Sequence, residues 1–282
     1  MDFAAFERDV AALRCALRRR LDVKSLDQYT DLYRNIHFER RDGVLQVRLH
    51  TDDGPLKWGA NKGSIHEQLV SAFYDIAHDG DNRVMILTGT GDAFCSERNP
   101  DEYSDAYSPE YWYRILREGR DMLLNLLEID IPVISAINGP ALIHSELAVL
   151  ADVVLASETT SFRDTHMAIG VVPGDGCHCV WNALLGPSRG HYYLLTSETL
   201  PALEAQRLGV VHEVLPPAQV LARAWEIASK LASKPIMTLR YSRLLFSQPL
   251  KQALHNDLVC GLALEGLSVG ALGASPLPAA RK

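Results

Sequence analysis

Three short runs of nearly unbroken apolar residues constrain this chain most: "VMIL" at 84–87, "PVISAI" at 132–137 and "VVLA" at 153–156. A strand with one wet face alternates apolar and polar residues. An unbroken run needs apolar neighbours on both sides, as in a parallel sheet covered by helices. The segments between these runs have helical period. "SIHEQLVSAFYDIAHD" precedes the first, "SPEYWYRILREGRDMLLNLLEI", with Ser108 placed as a cap, separates the first two, and "ELAVLA" leads into the third. Together they specify an α/β architecture. Upstream, "IHFERRDGVLQVRLHT" alternates on both sides of Asp42-Gly43, which predicts a hairpin. After Pro173 the text is helical except for a short strand, "VVHEVL".

Three regions follow. Residues 1–33 form a helical extension, with Phe3, Phe6, Val10, Leu13, Leu17 and Leu21 on one face of a helix over residues 1 to ~25 and Arg18-Arg19-Arg20 near its end. Residues 34–215 are the α/β core, and 216–282 a helical region ending in a tail, "GASPLPAARK", expected to be disordered. A net charge of −7 argues against nucleic acid as a partner. No apolar run is long enough for a transmembrane helix, and the charged N-terminal segment has no signal-peptide core, so no membrane partner is expected. Five scattered cysteines (15, 95, 177, 179 and 260) read as free thiols in a reducing compartment, which places the chain in the cytoplasm.

The densest chemistry lies in "SFRDTHMAIGVVPGDGCHC", residues 161–179. It admits a metal site, a nucleophile with its base, or a histidine held by a carboxylate. Cys177-His178-Cys179 offers soft metal ligands, but zinc pairs are usually spaced two to four residues apart, and adjacent ligands at a helix start point away from each other. Cys177 and Cys179 stand where a helix N-terminus lowers a thiol pKa. No G-x-S-x-G elbow occurs anywhere in the chain.

Four linked segments, "VMILTGTGDAFCSE", "IPVISAINGPALIHSELAVLADVVLAS", "SFRDTHMAIGVVPGDGCH" and "EAQRLGVVHEVLP", resemble the crotonase (enoyl-CoA hydratase/isomerase) superfamily in order and spacing over about residues 34–270. The resemblance implies a spiral of ββα units with a helical C-terminal trimerisation region, assembled as a homotrimer or dimer of trimers. The departures are informative. Where hydratases carry Phe-x-x-Gly-Ala-Asp, this chain reads Phe94-Cys95-Ser96-Glu97-Arg98-Asn99. Their Gly-Gly-Gly run is Ile143-His144-Ser145, and of their two catalytic glutamates the first corresponds to Glu146 and the second to His166. These departures resemble the branch of 6-oxocamphor hydrolase and other β-diketone hydrolases, which use no coenzyme A. That branch carries a histidine nine residues before an aspartate in a "PGDG" turn, here His166 and Asp175. It also implies roles for His144, Trp58, His66 and Glu265.

The implied reaction is hydrolysis of a carbon–carbon bond in a cyclic or bicyclic β-diketone. Water attacks one carbonyl, and the carbon between the carbonyls leaves as an enolate. A histidine suits proton removal from water, and a carboxylate fixes its tautomer. This assigns His166 as general base and Asp175, on a glycine-flanked turn, as its orienter. Asp175 also stands where it would cap the following helix, and both roles fit only if its two oxygens divide the work. Asp164, two residues before His166 and on its face if the segment is a strand, is the rival partner. His144, before a helix, is assigned to the enolate oxygen, with the Trp58 indole N–H as second donor. His66 would contact substrate, and Glu265 would tune the site. No cofactor and no metal is expected. Two other readings stand open: a coenzyme A thioester hydratase, isomerase or hydrolase with altered acid–base residues, and a non-catalytic assembly protein on the same fold. Against the first, "SERNPDEYS" offers phosphates only Arg98 among three acids.

Overall fold

The computed structural model describes residues 23–103 and 108–272. Most of the expected N-terminal helix and the C-terminal tail lie outside the described residues. A short helix α1 (Leu26–Tyr29) leads into strands β1 (Ile36–Arg41) and β2 (Val44–Leu49). These pair antiparallel with Arg41 opposite Val44, so Asp42 and Gly43 alone make the turn. Both have positive φ, 50° and 78°, as a two-residue I′ hairpin requires.

The chain then repeats one unit. A strand enters a large sheet, a short strand or bridge enters a smaller sheet, and a helix closes the turn. The first unit is β2, β3 (Leu56–Trp58) and α2 (Ile65–His78). The second is β4 (Val84–Thr88), β5 (Cys95–Arg98) and α3 (Pro109–Glu128). Helix α3 is capped by Ser108, whose Oγ accepts from the Tyr111 N–H at 3.0 Å. In the third, β6 (Val133–Ile137) is followed by a bridge at Ala141 and by α4 (Ser145–Val149). In the fourth, β7 (Val153–Ser157) and β8 (Ser161–Phe162) precede α5 (Cys177–Leu185). Helix α6 (Pro187–Thr196), β9 (Leu200–Pro201), α7 (Ala202–Arg207), β10 (Glu213–Leu215), α8 (Pro217–Ala232) and the long α9 (Ile236–Leu272) complete the chain. The large sheet runs β1-β2-β4-β6-β7-β10, parallel except at the β1–β2 hairpin.

The unbroken apolar runs now have a cause. Val84 and Ile86 face Ala224 and Ala228 of α8, while Met85 and Leu87 join Leu69, Phe73 and Leu126 in the main core. The strand expected at "VVHEVL" is shorter than the sequence suggests. Val210 and Val211 are buried, but their N–H groups bind the Ala205 carbonyl and close α7, so the strand begins at Glu213.

Two features position the site. In the small sheet, β3 and β5 are parallel with Trp58 opposite Arg98, so both side chains leave on one face. On the other side, Gly174 lies against Gly261 of α9. A Cβ on Gly174 would stand 2.1 Å from the Gly261 carbonyl oxygen. That close crossing brings Glu265, one turn further along α9, to the loop carrying His166 and Asp175.

Candidate active site

His166 is held from behind. Strand β8 ends at Phe162, and Asp164 begins a tight turn rather than continuing the strand. Its Oδ1 accepts from the His166 backbone N–H at 3.0 Å, and its Oδ2 lies 3.0 Å from the ring Nδ1. The ring thereby presents Nε2 to Glu265 Oε1 at 3.5 Å and Asp175 Oδ2 at 3.7 Å. This corrects the assignment of Asp175 as orienter: the carboxylate hydrogen-bonded to His166 is Asp164. Asp175 divides its oxygens instead. Oδ1 accepts from the Cys177 N–H at 3.3 Å at the start of α5, and Oδ2 sits 3.2 Å from Nδ1 of His144. Asp175 therefore stands between two imidazoles.

His144 is the N-cap of α4, with φ 49° and ψ 47°. A side chain in this left-handed region costs roughly 1–2 kcal/mol, and strain of this kind clusters at functional sites. Its Nδ1 lies 2.7 Å from Oε1 of Glu146, which is fully buried. Trp58 stacks on the imidazole with ring centroids 3.9 Å apart and planes 30° apart. The His66 ring meets Trp58 edge-on, and its Nδ1 binds Glu118 Oε2 at 2.8 Å. Arg114 holds that carboxylate in turn and donates to the Ala60 carbonyl.

The two histidines have opposite electrostatics. Burial alone would lower the His166 pKa, but Asp164, Asp175 and Glu265 outweigh it and hold the ring well above the usual histidine value. Burial drives His144 down to about 3, with Asp175 opposing and His66 and His166 adding to the fall. Burial, reinforced by the Asp175 charge, raises the Glu146 pKa well above its usual value and favours the neutral acid. Nδ1 of His144 thus faces two carboxyl groups, Glu146 Oε1 at 2.7 Å and Asp175 Oδ2 at 3.2 Å, and the remaining ring nitrogen, Nε2, is left for the cavity. Burial favours the neutral form of Asp175, yet His166 and His144 hold its pKa below the usual range. Glu265 is pushed up to about 7 by burial, with His166 opposing.

These groups line one pocket with about 690 Å³ of empty space, its open mouth included. Trp58, His66, His144, His166, Asp175 and Glu265 all reach it. Arg98, Tyr103 and a wall of Ile115, Met122, Ile169 and Val171 join them. The other chemistry of the 161–179 stretch recedes. Cys177 Sγ donates to the Pro173 carbonyl, and burial with nearby carboxylates raises its pKa far above the thiol range, so it is no nucleophile. Cys177, His178 and Cys179 do not converge as a metal-ligand set. Among the described residues, Cys177 instead groups with Asp164, His166 and Asp175, all within 4.8 Å. The remaining groups of that kind are His144, Glu146 and Asp175, and, away from the pocket, His37, His50 and Asp53.

The profile of the family described as enoyl-CoA hydratase/isomerase matches residues 39–264. The chain belongs to that family. A probable enoyl-CoA hydratase of Rhodobacter capsulatus is 29% identical over 246 residues, 86% of this chain and 91% of that protein. A β-diketone hydrolase from the cyanobacterium Anabaena sp. PCC 7120, solved bound to (S)-3-oxocyclohexyl acetic acid, is 46% identical. The match covers 87% of this chain and 98% of that one, with a TM-score of 0.84. An enoyl-CoA hydratase/isomerase from Mycobacterium paratuberculosis shares the fold, with a TM-score of 0.78 at 23% identity, over 84% of this chain and 94% of that one. The spiral of ββα units is thus the enoyl-CoA hydratase/isomerase fold.

Against that family's pattern, the position of the first hydratase glutamate, Glu146, lies behind His144 and is 1% exposed. Asp164 reaches His166 through the tight turn and not through strand alternation. Glu118 and Arg114, which support His66, carry no local sequence signal. Their signal is non-local: His66 and Glu118 meet only when α2 packs on α3. Among the described residues, no helix is long and apolar enough to cross a membrane.

Proposed function

We propose that this chain is a coenzyme-independent β-diketone hydrolase that opens a bicyclic 1,3-diketone to a keto acid. The observation that carries the reading is His166, ringed by carboxylates, facing the same cavity as a neutral, Trp58-stacked His144. With Nδ1 held by Asp164, unprotonated Nε2 of His166 takes a proton from water as its oxygen bonds to one carbonyl carbon. The tetrahedral oxyanion collapses, the bond to the intervening carbon breaks, and the electron pair passes to the second carbonyl as an enolate. Nε2–H of His144 receives that enolate oxygen, with the Trp58 indole as a second donor and His66 against the substrate. Nε2–H of the His166 imidazolium then returns the proton to carbon. The carboxylates that raise the His166 pKa favour the imidazolium at the moment it forms, and Glu265 shares the proton.

The relative bound to (S)-3-oxocyclohexyl acetic acid supports this reading. Water cleavage of bicyclo[2.2.2]octane-2,6-dione yields that carbon skeleton, a ring ketone carrying a carboxymethyl group. Thioester hydration is the rival suggested by the curated relatives. It is disfavoured because Glu146 is buried behind His144, and His166 occupies the second glutamate position. A purely structural role is disfavoured by the ionised cluster kept in the cavity wall.

In coenzyme-free buffer, the purified protein is expected to consume bicyclo[2.2.2]octane-2,6-dione with loss of its diketone absorbance. No turnover, together with turnover of crotonyl-CoA, would overturn the proposal. The same reading includes self-association as a homotrimer or dimer of trimers, supported by exposed Tyr241, Leu245, Phe246, Leu264 and Leu267 on α9. Sedimentation equilibrium tests it, and a monomer at micromolar concentration contradicts it.

A further inference from the structure

Arg98 is the charged pocket residue that the proposed reaction leaves without a task. It stands on β5 beside Trp58 of β3, and its Nη2 donates to Oγ1 of Thr165 at 3.0 Å, next to His166 in the chain. Tyr103 lines the same pocket. Arg98 therefore spans the wall from Trp58 to the His166 loop, and it lines the cavity itself. No carboxylate of the described residues pairs with Arg98 within 4 Å. Arg40, Arg114, Arg240 and Arg243 each have such a partner. A guanidinium carries five donors and stays charged at any working pH, and its strongest partner is a planar carboxylate. A half-buried arginine in a ligand cavity, without a counter-charge among the described residues, is matched to an anion that the ligand brings.

The diketone is neutral when it enters, and one of its carbonyls leaves as a carboxylate. We propose that Arg98 is the carboxylate-binding residue of the site. It receives the oxygen of the carbonyl that water attacks, first as the tetrahedral oxyanion and then as the carboxylate of the keto acid. Arg98 and His144 then mark the two ends of the substrate: the carbonyl at Arg98 is hydrated, and the carbonyl at His144 becomes the enolate. Arg98 thereby selects between the two carbonyls. No bond to Arg98 forms or breaks; collapse of the oxyanion gives the carboxylic acid, whose remaining water-derived proton passes to solvent and leaves the carboxylate at Arg98. The proposal rests on the hydrolase reading for its substrate, but its binding test does not.

The test has two arms, both on the full chain. By calorimetry, (3-oxocyclohexyl)acetic acid is expected to bind the wild type more tightly than its methyl ester. Arg98→Met should lose about 10–100-fold in affinity for the acid and little for the ester, since a hydrogen bond to a charged group is at stake. Arg98→Lys keeps the charge and should fall between them, which guards against a misfolded Met variant. In the second arm, bicyclo[2.2.2]octane-2,6-dione has two mirror-related carbonyls, so the choice between them appears as the enantiomeric excess of the acid. Arg98→Met should lower both rate and enantiomeric excess. Equal acid binding by wild type and Arg98→Met overturns the role of Arg98 whatever the turnover. Arg98-dependent acid binding without any diketone turnover keeps the anion site and removes the hydrolase reading. A folded Arg98→Met enzyme with wild-type enantiomeric excess removes its part in choosing the carbonyl.

Discussion

His144 and His166 line one cavity and are separated by one carboxylate, yet they are opposite instruments. His166 has Asp164 at Nδ1 and Asp175 and Glu265 near Nε2, and the acids override burial to make it a strong proton acceptor. His144 has a buried acid at Nδ1 and an indole on its face, and burial keeps it neutral even in acid. Two identical side chains are driven apart by what surrounds them, which is how a site obtains a base and a donor from one residue type. Asp175 serves both halves, and its second oxygen fixes the start of α5.

Three substitutions probe that contrast in four measurements, from the largest expected effect to the smallest. His166→Gln removes the proton carrier and should cut kcat on the diketone by about 10³–10⁴. A variant retaining a tenth of wild-type kcat would place the base elsewhere. His144→Phe keeps the stack on Trp58 but deletes the enolate donor, and should cost about 10²–10³. An effect as large as that of His166→Gln would show that the two halves do not have separate tasks.

Asp164→Asn should move the pH–rate profile more than the maximum rate. His166 works unprotonated and its pKa is raised, so the rising limb of the wild-type profile lies above 6.5. Removing the Asp164 charge lowers that pKa and shifts the limb to lower pH. An unchanged limb would mean that Asp164 only shapes the turn. The smallest effect belongs to acid stability. His144 binds its proton with a pKa of about 3 when folded and near 6.5 when unfolded. The unfolded chain therefore takes up more protons between those values, and folding stability is lost as pH falls from 6.5 toward 3. His144→Phe should lessen that slope in chemical denaturation at pH 7, 5 and 4.

Much of the fold is legible in local pattern, and less of the site is. Val84–Leu87 declares a doubly covered strand, Asp42-Gly43 a two-residue turn, and Ser108 a helix start. Each needs only near neighbours in sequence, and the structure has each. The cluster around His166 is built otherwise. Glu265 arrives because Gly174 and Gly261 let two backbones touch, a contact between distant segments that no periodicity announces. Resemblance to a family pointed to Glu265 where residue spacing did not. Asp164 was visible, but strand alternation was the wrong geometry for it. In sequence Arg98 is one positive charge among three acids, and only the β3–β5 register turns it into the cavity.

The division between the two imidazoles is most directly tested by ¹⁵N NMR of the histidine rings in the full chain, assigned with His144→Phe and His166→Gln, across pH 4 to 9. The account predicts that His166 keeps its proton to higher pH than a free imidazole, while His144 stays a neutral ring down to pH 4. A His166 ring already neutral at pH 6, or a His144 ring titrating near 6.5, would contradict it.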